Sequence, residues 1–138
     1  MQIFQLILKN QLIELDKLVI NLEELSVKWN IPTKIVMEIN LVLEELFTNV
    51  VLYTFDDKEE YNIIPDFVLI DEHQLKIRLE DDGNLFNLLE KKVNDTFDKS
   101  VEDRQIGGLG IHFVRELMNN VDYKRAVDKN IVILMKNF

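Results

Sequence analysis

Cysteine is missing from this chain, which excludes disulfides, thiolate metal sites and thiol nucleophiles together and fits a reducing compartment. Positive charge is short: 16 Lys and Arg stand against 25 Asp and Glu, a net charge of −9. A chain that acidic has no electrostatic footprint for a phosphate backbone, so direct nucleic-acid binding is not expected. Long apolar runs are also lacking; charge interrupts each before the roughly 18–20 residues that a membrane span requires. The apolar start, Met1 to Leu8, is broken by Gln2 and Gln5 and has neither the basic beginning nor the small-residue cleavage site of a signal peptide. A soluble, cytoplasmic protein is the expectation. Glycine is scarce, and its placement is uneven: of four glycines, three fall at 107, 108 and 110 and the fourth is Gly83.

What is present is enough for a core. The 138 residues are one domain's worth, and 47% of them are hydrophobic against 30% charged. Residues 2–9 read as a first strand. From Gln11 to Lys28 the apolar positions Leu12, Leu15, Leu18, Val19, Leu22 and Leu25 recur at threes and fours, the pattern of an amphipathic helix. Ile31-Pro32 ends it, and Pro32 suits the first turn of a second helix running to Tyr53, with Ile35, Ile39, Val42, Leu43, Leu46 and Val50 as its buried stripe. Asp56 to Glu60 form a charged loop. Strands follow at 61–70 and 74–81, the second alternating cleanly, while Pro65 pushes the first toward a sheet edge or a late start. Residues 84–106, highly charged and aperiodic apart from Phe86, Leu88 and Leu89, read as a loop. A last helix begins at the glycines, and strands at 121–126 and 130–136 turn around Asp128-Lys129-Asn130. The order β-α-α-β-β-loop-α-β-β suggests helices layered on one face of a mixed sheet.

Three short motifs carry the chemistry. Glu45 and Asn49, four apart on the second helix, share a face about 6 Å apart along the axis. Asn49 lies beside the apolar stripe, where an amide must find partners. Magnesium and phosphate oxygens would satisfy its carbonyl, and Glu45 would serve as general base; the plain alternative is a surface glutamate and a satisfied core amide. Asp81-Asp82-Gly83 ends an alternating strand, where a carboxylate can accept from an adenine amino group and glycine lets the backbone pass close to a ligand, or where a simple turn stands. Gly107-Gly108-Leu109-Gly110 opens a helix, leaving backbone N–H groups and the positive end of the dipole free for an anion. It is not the P-loop pattern, because no lysine follows. Arg104, just before the glycines, either reaches a γ-phosphate or is a solvated charge. His73 and His112 lack ligand spacing, and Trp29 reads as a packing residue.

Strand-helix-helix order with these three motifs resembles the GHKL superfamily of ATPases, which includes histidine kinases and the gyrase B subunit. More narrowly, the length and the run Ile106-Gly107-Gly108-Leu109-Gly110-Ile111-His112-Phe113-Val114-Arg115-Glu116-Leu117-Met118 resemble the bacterial anti-sigma-factor serine kinases, as do Val121-Asp122-Tyr123 and the final strand. The resemblance implies an α+β fold, a two-layer sandwich of the Bergerat ATP-binding type, with a mixed, mostly antiparallel sheet and helices on one face. It implies ATP and Mg2+ as ligands, with Glu45 as the base that activates a substrate hydroxyl and Asn49 as the magnesium ligand. Asp81 would bind the adenine amino group, with Gly83 and Phe86 in the base pocket. Residues 87–106 would form a lid, and Gly107, Gly108 and Gly110, with Leu109 between them, would hold the phosphates; Arg104 keeps the two readings given above. It further implies a homodimer that phosphorylates a serine on an anti-anti-sigma protein and, with ATP bound, grips a sigma factor. Tyr53-Thr54 stands where the family often has His-Gly or His-Ala, Asn119 where an aspartate is common, and the last strand lacks a hydroxyl that often helps hold adenine.

Two other readings stay open. One is a module of the same fold that binds nucleotide without transfer, or only docks. The other, a histidine-kinase ATP-binding domain cut from a longer protein, is disfavoured by the start at Met1 and by the lack of a phosphoacceptor-helix segment.

Overall fold

The computed structural model describes residues 1–87, Leu89 and 108–138. Along these run β1 (Gln2–Gln5), β2 (Leu8–Lys9), a 3-10 turn (Leu12–Glu14), α1 (Leu15–Lys28) and α2 (Thr33–Tyr53). They are followed by β3 (Asn62–Asp71), β4 (Gln74–Asp81), α3 (Gly108–Leu117), β5 (Asn120–Ala126) and β6 (Lys129–Asn137). The sheet order is β1-β3-β4-β6-β5, with β2 pairing beside β3, and every pairing among the described residues is antiparallel. The architecture is α+β, in two layers.

Alternation decides which face of the sheet the helices cover. Ile63, Phe67 and Leu69 of β3, Leu75, Ile77 and Leu79 of β4, and Val132 and Leu134 of β6 are all buried. The register sets Phe67 beside Ile77 and Ile77 beside Leu134, so these side chains form one continuous apolar surface. Leu18, Leu22 and Leu25 of α1, Val36, Ile39, Val42, Leu43, Leu46, Phe47 and Val50 of α2, and Ile111 and Val114 of α3 join them in a single core. On the other face Arg78 pairs with Asp66 and Glu80, and Lys129 with Glu80 and Asp82, a solvated ladder of alternating charge.

Several expected boundaries move, each for a local reason. The first strand is broken at Leu6-Ile7, and the same break accommodates Pro65. That proline is not at a sheet edge: β3 lies inside the sheet, between β1 and β4. Its carbonyl accepts from the Leu6 N–H at 2.9 Å, so its missing N–H faces the gap between β1 and β2 rather than the β4 ladder. The first helix starts at Leu15 rather than Gln11, leaving Leu12 exposed, and Val19 also faces outward. It ends with Asn30 at φ 55° and a 2.9 Å bond from the Ile31 N–H to the Ser26 carbonyl, the Schellman arrangement. Pro32 is the residue before the first turn of α2, and its carbonyl accepts from Val36 N–H.

The last hairpin turns at Val127-Asp128, one position earlier than expected, because Ala126 pairs with Lys129 and Arg125 with Asn130. Both turn residues have positive φ, 50° and 61°, as a two-residue type I′ hairpin demands. Valine is poorly suited to that region, since its branched Cβ crowds the carbonyl. Val127→Asn is expected to raise stability by about 1 kcal/mol, the order of the left-handed penalty. Urea unfolding with an unchanged m-value would measure it; an unchanged midpoint would show that the turn relaxes in solution.

Candidate functional site

The C-terminal end of β4 holds the first cluster. Asp81, 3% exposed, closes the inward alternation of the strand, so the period that buries Leu75, Ile77 and Leu79 also buries a carboxylate. Its Oδ1 accepts from the Gly83 N–H and from Asn130 Nδ2, both at 2.9 Å. Asn130, 2% exposed and opposite Asp81 on β6, is the hub of this corner. Its Nδ2 also donates to the Asn84 carbonyl at 2.8 Å. Its Oδ1 accepts from the Tyr123 hydroxyl at 2.6 Å, from Arg125 Nη1 at 3.2 Å and from the Phe86 N–H at 3.3 Å. Burial pushes the Asp81 carboxyl above the ordinary aspartate range. The Asn130 and Gly83 hydrogen bonds and the Arg125 charge oppose that shift only in part, while Asp82 adds to it.

Gly83 is required here, but chiefly by the protein itself. A Cβ at this position would lie 2.7 Å from the Thr54 Cβ, carbonyl oxygen and Oγ1. Thr54, at the end of α2, is buried; it donates from Oγ1 to the Val50 carbonyl and accepts at its own carbonyl from Asn84 N–H at 2.7 Å. Arg125 Nη1 donates to the Gly83 carbonyl at 2.7 Å. Phe86 is half-buried and stacks on Tyr53, ring centroids 5.6 Å apart and 24° from parallel. The corner therefore ties α2, the turn after β4, and β5–β6 into one frame.

The second cluster lies on α2 where α3 crosses it. Asn49, 3% exposed, donates from Nδ2 to the Glu45 carbonyl at 2.9 Å and to Glu45 Oε1 at 2.8 Å. Both amide protons are thereby turned toward Glu45, and the carbonyl Oδ1, the atom a hard cation takes, is the opposite end of the group. Gly110 of α3 sits directly on Glu45: a Cβ there would fall 1.9 Å from Glu45 Oε1 and 2.0 Å from its Cδ. With the Glu45 side chain in this conformation, α3 can come this close to α2 only because position 110 has no side chain. Beside Glu45 a groove of about 460 Å3 runs between the helices, walled by Leu41, Val42, Gly110, Phe113 and Val114. Larger clefts of about 520 and 700 Å3 lie around Trp29, with none of these residues in their walls.

The structure thus brings Asn49 and Gly110 onto Glu45, and joins Asp81, Gly83 and Phe86 in a second group at the C-terminal end of α2, little more than a turn beyond Asn49. Gly108 and Leu109 are the first residues of α3. Arg104, Gly107, Leu88 and the expected lid from 90 to 106 lie outside the described residues. Among the described residues no cluster of three or more His, Asp or Glu side chains could cage a metal ion by itself, so a cation here would need phosphate oxygens as well. The sequence reading missed Thr54, Tyr53, Tyr123, Arg125 and above all Asn130, which it took for a turn residue. The available signal was an asparagine heading an otherwise apolar strand, Asn130-Ile131-Val132-Ile133-Leu134.

A buried carboxylate with a raised pKa lowers stability once it ionises. The folded state keeps the Asp81 proton to higher pH than the unfolded chain does, so this group's contribution is lost as pH rises through the raised value. Asp81→Asn keeps an oxygen for Gly83 and Asn130 without the charge. Its thermal midpoint is expected to match the wild type in acid and to exceed it at neutral pH. A variant less stable at neutral pH would show that the Arg125 attraction outweighs desolvation.

A family model described as a histidine kinase-like ATPase domain matches residues 9–136. Among solved structures, the histidine kinase domain of the blue-light activated histidine kinase EL346 from Erythrobacter litoralis superposes with a TM-score of 0.56 at 22% identity. That match covers 77% of this chain and 46% of the other. A second structure of the same light-activated kinase gives 0.56 at 21% identity, over 77% of this chain and 31% of the other. The chain spans less than half the length of either, and the likeness is one of fold. No curated protein matches the sequence. No helix among the described residues is long and apolar enough to cross a membrane. Nearly the whole length falls within one family, and the chain belongs to the histidine kinase-like ATPase domains of the GHKL superfamily.

Proposed function

We propose that this chain acts as one domain, a magnesium-dependent protein serine kinase of the anti-sigma-factor type, which phosphorylates an anti-anti-sigma partner and, with ATP bound, sequesters a sigma factor. The observation that carries the reading is the contact among Glu45, Asn49 and Gly110. Glu45 touches both the Asn49 amide and the first turn of α3, which supports reading the three as a base, a metal ligand and a phosphate cradle for phosphoryl transfer. At the C-terminal end of α2, about one turn beyond Asn49, Asp81 would accept a hydrogen bond from the adenine amino group, with Tyr53 and Phe86 as the apolar wall.

Magnesium, when bound, would neutralise charge on the phosphates, which a chain of net charge −9 otherwise repels. Asn49 would hold it through Oδ1. Glu45 would accept the proton of an acceptor hydroxyl arriving through the groove between α2 and α3, and backbone N–H groups at the start of α3 would carry the phosphate oxygens. Tyr53-Thr54 and Asn119, which differ from the family pattern, have packing roles here. Thr54 supports Gly83, and Asn119 Oδ1 accepts from the Asn137 N–H at 2.8 Å. Both supply local order without entering the Glu45–Asn49 contact. The dimer, the sigma factor and the acceptor serine belong to this proposal through the family resemblance.

Calorimetric titration of ATP with and without magnesium tests the site. Binding is expected to depend on magnesium in the wild type and to lose that dependence in Asn49→Ala. Glu45→Ala is expected to keep nucleotide while transfer to an anti-anti-sigma protein falls by at least a hundredfold, the usual contribution of a general base. Gly110→Ala should still fold, since the Glu45 side chain from Cγ outward can swing aside, but transfer should drop about tenfold or more as that carboxylate is displaced. Magnesium-dependent binding with no labelled product from any partner would favour a docking module of the same fold.

A further inference from the structure

The third helix carries a second tie to α2 at its other end. Lys136, on the helix-covered side of β6, is buried; its side chain is only 10% exposed. Its Nζ lies 2.5 Å from Glu38 Oε2, on the first half of α2, and donates to the Leu117 carbonyl at the C-terminus of α3. The ammonium thus meets one of the carbonyls that a helix end leaves without an intrahelical partner, and it complements the negative end of the dipole.

The spacing is matched. Glu38 and Glu45 are seven residues apart on α2, and Gly110 and Leu117 are seven apart on α3; both separations are two turns, or about 10 Å. The helices run antiparallel, so Glu45 meets Gly110 at one end while Glu38, through Lys136, meets Leu117 at the other. Backbone bonds fix the end of α3 to β6, with Asn119 N–H on the Met135 carbonyl at 2.9 Å, but they do not reach α2. Lys136 does.

We infer that Lys136 and Glu38 are positioning residues: a largely buried ion-pair latch that sets the register of α3 along α2 and so holds the Gly110 turn against Glu45, the carboxylate to which Asn49 donates. A slip of one residue along α3 moves that turn by about 1.5 Å, enough to uncouple it from Glu45. Replacing a buried ion pair by apolar groups is often neutral for stability, which allows register to be tested apart from folding.

The test is the double variant Glu38→Leu/Lys136→Met, which leaves neither charge buried alone. In the nucleotide-free protein, the Asn49 side-chain amide resonances are expected to move toward those of an exposed asparagine, while those of Asn130 stay in place. Resonances of Asn49 at wild-type positions in a folded double variant would overturn the inference. If the double variant does not fold, Glu38→Gln, which keeps the shape and drops the charge, takes its place: a moved Asn49 signal beside an unmoved Asn130 supports the latch, and an unmoved Asn49 signal overturns it. The functional consequence rests on the nucleotide reading above. ATP should weaken about tenfold relative to adenosine in the variant, and an unchanged ratio would overturn the positioning role. A wild type that binds neither would count against that reading alone, because the Asn49 resonances still decide the latch.

Discussion

A carboxylate withdrawn from water at a strand end must be met by donors, and the way this chain meets that demand organises one whole end of the molecule. Asp81 is buried by the same two-residue period that builds the core. Asn130 answers it from the neighbouring strand, and once Asn130 is committed, Tyr123, Arg125, Phe86 and Asn84 are drawn to its remaining positions. Gly83 closes the turn and, lacking a side chain, lets Thr54 at the end of α2 come within contact. The long helix is thereby anchored to the sheet at its C-terminal end, and Asn49, one turn before that anchor, inherits its position.

The two clusters differ in how they are built. The Asp81 corner is a hydrogen-bonded frame in which the donors and acceptor of Asn130 all find partners, so it is rigid and costly to rearrange. The Glu45–Asn49–Gly110 contact is made of one flexible carboxylate between two helices, and small displacements of α3 alter it. On the proposed reading the rigid corner would select a base and the adjustable contact would handle phosphates: specificity comes from preorganised groups, and a reacting site needs freedom to close. The close approach of α3 to α2 would then be the point where packing meets chemistry.

The sequence made much of this legible, and its failures have physical causes. Periodicity located α2 and β4 because both bury one clean face, and the concentration of glycines pointed to α3. Pro65 argues for an edge or a late start yet lies inside the sheet, because a missing N–H does harm only where a neighbour would need it, and the break between β1 and β2 cannot be seen in composition. The final turn was set one residue late because Val127, a poor residue for positive φ, occupies a turn position that sequence rules assign to asparagine or glycine. Glu45, Asn49, Asp81 and Gly83 were visible as motifs. Asn130 was not, since its importance lies in five partners scattered from Asp81 to Arg125.

If the proposed nucleotide site is right, the buried Asp81 carboxylate accepts from the base of the bound nucleotide. Paired titrations of ATP and GTP into the wild type, under identical magnesium and salt, decide it. Adenine presents an amino donor where guanine presents a carbonyl, and an acceptor facing an acceptor in a buried site costs affinity heavily. ATP is expected to bind at least a hundredfold more tightly than GTP. Equal affinities for the two would contradict the assignment of Asp81 and with it the reading of this corner as an adenine site.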